Sequence, residues 1–190
     1  MQLSDIIKLP HTDISDKKGI IFDLDGTIAD SMEFWKDQTQ FAGLTYEQYQ
    51  KKLRHLYADM IPPKPCALEL LQKLKDAGIP FCILSATPKE DYAPFVKRFG
   101  IDKLVNFCAD CADFGGDKFN EQPYVHAAER LGLTPSEVIV FEDLPSSAQA
   151  ALDGGIFTVG VYDDASKKSV TTMKLICDDY IPDLGSIIIK

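Results

Sequence analysis

The stretch KKGIIFDLDGTIADS, residues 17–31, runs three apolar residues, Ile20, Ile21 and Phe22, straight into Asp23 and Asp25. On a strand, side chains two residues apart project to the same side. A carboxylate pair held that way can divide the work of a nucleophile and of a general acid-base. By itself the pair is equally a chance feature of a strand end. Asp25-Gly26 also invites a hairpin, but the TIADSMEFW that follows reads as a loop leading into a helix. A calcium loop counted from Asp23 would need Gly sixth and Glu twelfth, where Ile28 and Phe34 stand.

Other segments change the weight of the pair. The apolar run PFCIL (80–84) ends in Ser85-Ala86-Thr87, and VIVF (138–141) ends in Glu142-Asp143. Lys118 stands just ahead of a predicted helix, in GGDKFNEQPY. An acid pair, a hydroxyl, a lysine and a second acid pair would converge on one sheet edge if these runs are parallel strands, because ligands of open α/β sheets bind beyond the strands' carboxyl ends.

The elements needed for that arrangement are legible. Residues 18–23, 80–84, 104–108 (LVNFC), 138–141 and 156–161 read as strands, and 179–181 as an edge strand. Helices are expected at 66–77, 89–98, 121–131, 146–153 and 167–175. Strands alternating with helices predict an α/β fold with a doubly wound, mainly parallel, Rossmann-like sheet. Between the first strand and the next unit come two helices with no strand, 31–42 and 46–60. The second opens on a capping box, Thr45 with Gln48. This predicts a catalytic core of residues 1–29 and 62–190, carrying a small helical cap insertion at 30–61.

With these motifs in order, the sequence resembles the haloacid dehalogenase superfamily, in its phosphatase or beta-phosphoglucomutase-like subgroup with a short helical cap. Asp23-Leu24-Asp25-Gly26-Thr27 matches the first motif, Ser85 the second, Lys118 the third and Glu142-Asp143 the fourth. The third motif departs from the common Lys-Pro-x-Pro, being Lys118-Phe119-Asn120-Glu121.

The resemblance implies a Mg²⁺-dependent phosphatase of a small phosphorylated metabolite, working through an aspartyl-phosphate. Asp23 would attack phosphorus, and Asp25 would protonate the leaving alcohol and later take a proton from water. Asp23, the backbone carbonyl of Asp25 and Asp143 would hold the metal, with Glu142 acting through water or supporting them. Ser85, with backbone amides near Ala86, and Lys118 would bind phosphate. Gly26 would relieve the turn, and Thr27 would bond the backbone or Asp23. Asp25 favours phosphate esters over carbon–halogen bonds, since halide leaves without a proton. A phosphomutase and a catalytically idle interaction module are the alternatives.

Outside the motifs, the insertion is where substrate contacts are expected, with Trp35, Arg54 and His55 as candidates, although Trp35 reads more readily as packing between the cap helices and Arg54 and His55 as exposed face residues. Asp163-Asp164 and Asp178-Asp179 are expected to be solvated loops rather than metal sites. A net charge of −9 argues against a nucleic-acid partner. Apolar runs are too short to span a bilayer, and the N-terminus carries no secretory pattern. A cytoplasmic protein with five reduced cysteines is expected, the Cys108/Cys111 pair being small buried residues. Oligomeric state is not legible.

Overall fold

The computed structural model describes residues 2–10 and 14–189. A short helix, α1 (Leu3–Ile6), precedes β1 (Ile7–Lys8). The main sheet holds β2 (Gly19–Phe22), β3 (Phe81–Ser85), β4 (Phe107–Asp110), β5 (Val138–Glu142), β6 (Phe157–Val161) and β7 (Asp179–Ile181). A terminal strand, β8 (Ile188–Ile189), pairs antiparallel with β1. The six strands are parallel throughout, in the order β4-β3-β2-β5-β6-β7. The chain therefore winds one way from β2 through β3 to β4, and the other way from β5 to β7. The switch point lies beside β2, and ligand crevices of open sheets form there.

Both faces of the sheet are covered, which is why its strands read as unbroken apolar runs. Helices α4 (Ala67–Asp76) and α5 (Lys89–Arg98) cover one face, meeting Ile20, Phe22, Ile83 and Phe141. Helices α6 (Gln122–Arg130) and α7 (Pro145–Asp153) cover the other, setting Tyr124, Ala127, Ala128, Ala150 and Ala151 against Ile21, Leu84 and Val140. The paired alanines let these helices lie close to the sheet. Phe22 stacks on Phe141 with ring centroids 5.2 Å apart. Helix α8 (Val170–Ile176) leads to β7.

The segment between β2 and α4 takes its turns from local chemistry. Helix α2 is only Met32–Lys36, and α3 is Tyr46–His55. The expected helix over 31–42 is broken at Asp37, whose side chain accepts from the Thr39 amide and starts a separate 3-10 turn, Gln38–Phe41. The Thr45–Gln48 capping box forms as read, with bonds of 2.9 and 3.3 Å. After His55 the coil loosens into a π-type turn, Leu56–Met60, which buries Leu56 and Tyr57. At the neck, Ala29 bridges Pro63, and the Asp30 amide donates to the Pro62 carbonyl at 2.9 Å. Leu53, Leu56, Tyr57 and Ile61 join the same apolar cluster as α5 rather than forming one of their own.

Three further expectations are corrected. The strand expected over 104–108 begins only at Phe107, because Ile101–Lys103 is a 3-10 turn and Leu104 and Val105 pack from its end. Arg54 is not merely a surface residue. It ties α3 to α5 through Asp91 (2.8 Å) and Glu90 (3.0 Å). Asp163 is buried and paired with Lys64, and Asp178 accepts from the Thr158 amide at 2.8 Å beside the buried Asp179, so neither acid run is simply solvated.

All five cysteines are free, and Cys108 and Cys111 are buried as expected, which pushes both thiols up to about 12. No helix among the described residues is long and apolar enough to cross a membrane.

Candidate active site

Four loops meet at the carboxyl edge beside β2. Asp23 follows that strand directly, Glu142 ends β5 with Asp143 next, and Ser85 ends β3. Lys118 arrives from the loop before α6, and all five side chains are buried. Lys118 Nζ donates to Asp23 Oδ1, in a short contact, and to Glu142 Oε1 at 2.6 Å. Tyr124 adds a hydroxyl donor to Glu142 Oε1 at 2.9 Å. The other Glu142 oxygen accepts from the Asp143 amide at 3.2 Å. Glu142 is thus engaged through both oxygens.

Asp23 and Asp143 are not. Asp23 Oδ2 and Asp143 Oδ1 are buried without a hydrogen-bond partner. Bare buried carboxylate oxygens are costly, so they point to a missing charge. Burial pushes both carboxyls well above the usual carboxylate range, with Lys118 opposing this at Asp23. Burial would also lower Lys118, but Asp23 and Glu142 outweigh it and hold the ammonium well above its ordinary value. One oxygen from each of Asp23, Glu142 and Asp143 lies within 4.8 Å of the others. With the three acids ionised, Lys118 neutralises only one charge. An all-oxygen set with excess negative charge fits a hard divalent cation such as Mg²⁺.

Asp25 stands apart from that cluster, and its carboxylate is caged by donors. Its Oδ1 accepts from Ser31 Oγ at 2.6 Å, Trp35 Nε1 at 3.4 Å and the Tyr57 hydroxyl in a short contact. Its Oδ2 accepts from Thr87 Oγ1 at 2.9 Å and Ser85 Oγ at 3.2 Å. The two acids of DLDGT therefore face different surroundings: Asp23 an ammonium and further acids, Asp25 a ring of hydroxyls and an indole. Ser31 precedes α2 but makes no cap bond, its hydroxyl being spent on Asp25. Burial, then the Asp25 charge, keeps the Tyr57 hydroxyl well above its ordinary range, so it stays a donor.

Gly26 is required at its position. Its φ is +94°, in the left-handed region, and a Cβ there would stand 2.6 Å from Asp143 Cγ. Gly26→Ala is expected to displace Asp143 and lower any activity of the site by about 10²-fold, read as kcat with Mg²⁺ titrated to saturation. Unchanged kcat and metal affinity would remove Gly26 from the site.

Ala86 and Thr87 line the cavity over this edge, together with Trp35. Trp35 does pack near Phe41, centroids 6.3 Å apart, but it also reaches Asp25, which the packing reading missed. Thr27 departs from expectation: its hydroxyl is buried with no partner, bonding neither backbone nor Asp23. Sequence reasoning also missed Ser31, Tyr57 and Tyr124. Tyr57 sits on the apolar side of a helical periodicity, and nothing local marks its hydroxyl. A tyrosine buried on such a face needs a polar partner, and that was the available signal.

A family model described as haloacid dehalogenase-like hydrolase matches residues 33–155. The chain belongs to the haloacid dehalogenase-like hydrolases. This hydrolase is 30% identical over 95 residues to validoxylamine A 7'-phosphate phosphatase of Streptomyces hygroscopicus subsp. limoneus, covering 50% of this chain and 45% of that one. It is 27% identical over 195 residues to hexitol phosphatase A of Escherichia coli, covering 84% and 89%. It spans about half the length of the first relative. Among solved structures, CbbY of Rhodobacter sphaeroides in complex with phosphate shares the fold, with a TM-score of 0.76 at 16% identity, covering 90% of this chain and 98% of that one.

Proposed function

We propose that this hydrolase is a Mg²⁺-dependent phosphatase of the cytoplasm, cleaving the phosphate monoester of a small metabolite through a phosphorylated Asp23. The observation that carries the reading is the bare, buried Asp23 Oδ2 beside the bare Asp143 Oδ1. Asp23, Asp143 and the backbone carbonyl of Asp25 would hold the metal, with Glu142 supporting them. When bound, Mg²⁺ supplies the positive charge that neutralises phosphate oxygens. The phosphatase names of two relatives add support.

In this reading an Asp23 oxygen attacks phosphorus and the ester P–O bond breaks. Asp25, entering this step as the carboxylic acid with some of its donors turned away, gives its proton to the leaving oxygen. A water then attacks the phosphorus of the aspartyl-phosphate, Asp25 takes a proton from it, and the bond to Asp23 breaks, restoring the carboxylate. Lys118 and the Ser85 hydroxyl bind phosphate oxygens, as do backbone amides near Ala86, while Gly26 and Thr27 shape the loop. Asp25 must release some of its donors to reach the leaving group. Tyr57, Ser31 and Trp35, which hold it, come from residues 30–61, so that segment acts as a cap on a core of 1–29 and 62–190.

The test is phosphate release from a panel of phosphate monoesters, with Mg²⁺ and with EDTA. Release that needs Mg²⁺ is expected. A phosphorylated product in place of free phosphate would move the reading to a mutase, and no turnover of any kind would end it.

A further inference from the structure

We infer that the leaving group this site accepts is apolar and flat, without a second negative charge: an arylalkyl or aryl phosphate monoester rather than a polyol phosphate, a bisphosphate or a phosphorylated acid. The inference rests on the phosphatase reading above and names its substrate class.

The cavity over the acids measures about 460 Å³. Asp23, Asp25, Lys118, Glu142 and Asp143 form its charged end. Away from that end the wall is Met32, Trp35 and Tyr49 from the insertion, with Pro88, Phe119 and Leu144 from the core. Among the described residues lining it, Lys118 is the only cation, and Asp23 and Glu142 already engage its ammonium. A second phosphate or a carboxylate on the substrate would enter with no positive partner, which burial makes costly.

Polyols fare little better. The remaining polar lining groups are Asp117 and the hydroxyls of Tyr49, Thr87, Ser146 and Ser147, and the Thr87 hydroxyl already donates to Asp25. Asp117 Oδ1 already accepts from the Phe119 amide and Asn120 Nδ2, each at 2.9 Å. A row of hydroxyls would meet only these few groups along a wall that is mostly apolar, whereas sites built for hydroxyls present polar groups to each of them. One face of a sugar can stack on an aromatic ring, but its hydroxyl edges still need partners.

The apolar wall is also prepared for a ligand. Trp35, Phe41 and Tyr49 pack in series, with centroids 6.3 and 5.0 Å apart, so the rings are fixed before binding. Trp35 spends its polar atom on Asp25, leaving its ring to the cavity. Phe119, next to Lys118 in sequence, is 73% exposed at the rim. An arylalkyl group covering it would withdraw apolar surface from water.

The experiment compares kcat/KM for benzyl phosphate, sorbitol 6-phosphate and 3-phosphoglycerate, all esters of primary alcohols, with acetyl phosphate as a minimal substrate. Benzyl phosphate is expected to lead both other esters by at least about tenfold. Phe119→Ser is expected to lower its kcat/KM by about fivefold or more. Leu175→Ser, which changes an equally exposed apolar residue outside the cavity, is expected to leave it unchanged. If acetyl phosphate is hydrolysed but either polar ester equals benzyl phosphate, the substrate class is overturned and the phosphatase reading stands. If Phe119→Ser and wild type prefer benzyl phosphate equally, the wall assignment is overturned. If nothing is hydrolysed, acetyl phosphate included, the phosphatase reading fails and the inference falls with it.

Discussion

Asp23→Asn is expected to lower Mg²⁺-dependent phosphate release by roughly 10³-fold or more, because the amide is a poor nucleophile and no neighbouring acid occupies its place. The same change is expected to leave the metal-free protein at least as stable as wild type. Asp23 is buried among acids, and its carboxyl sits well above 3.8 in the folded chain. From about pH 4 upward to that raised value, the folded state holds a proton that the unfolded chain has lost. Its contribution is therefore fully present below the unfolded value and is lost as pH rises through the folded one.

The metal-free wild type should consequently lose thermal stability between pH 5 and pH 8 more steeply than Asp23→Asn does. Melting in EDTA across that range, beside a phosphate-release assay, checks both halves. A variant within tenfold of wild-type turnover would remove Asp23 as nucleophile. A variant that melts well below wild type at pH 8 would show that the Lys118 pairing outweighs the burial of the charge.

Lys118→Met attacks the same site from the other side. Lys118 is buried and donates to both Asp23 and Glu142. Removing one partner of a buried ion pair leaves the other uncompensated, at a cost of about 3–5 kcal/mol. For a chain of this size that lowers Tm by roughly 10 °C. The deficit should be largest at pH 8 and shrink at pH 5, where the exposed need for a counter-charge is met by protons on the carboxylates.

Adding Glu142→Gln to Lys118→Met should recover part of the loss, since it withdraws one of the stranded charges. Turnover should fall with the single variant whatever the pH, because in the proposed mechanism the ammonium also binds the phosphate. Calorimetry in EDTA reads the stability, and kcat in Mg²⁺ reads the rest. A Tm within about 2 °C of wild type at pH 8 would mean the ammonium does not stabilise the acids.

The positions where sequence reading failed share a cause. Asp37 ended a helix that periodicity carried on, because its side chain bonds the Thr39 amide more locally than helix spacing foresees. Leu104 and Val105 looked like strand because they are apolar, yet they follow the end of a turn, Val105 buried and Leu104 half-buried. Asp163 looked solvated until the chain brought Lys64 to it from 99 residues away. In each case the pattern reports burial or polarity, and the fold decides the partner.

The sequence by itself determined the alternation of strands and helices, the acids at the strand ends, the capping box and the two helices between the first sheet strand and the next unit. These are local or periodic features: a buried parallel strand must be apolar, and a loop beyond its carboxyl end is free to carry charge. Only the tertiary structure decided what each acid faces. Asp23 and Asp25 are two residues apart, yet one is set beside Lys118 from 95 residues on, and the other beneath Tyr57 from 32 residues on. The different roles proposed for them rest on that difference in surroundings, and the burial and partners that create it exist only once the chain has folded.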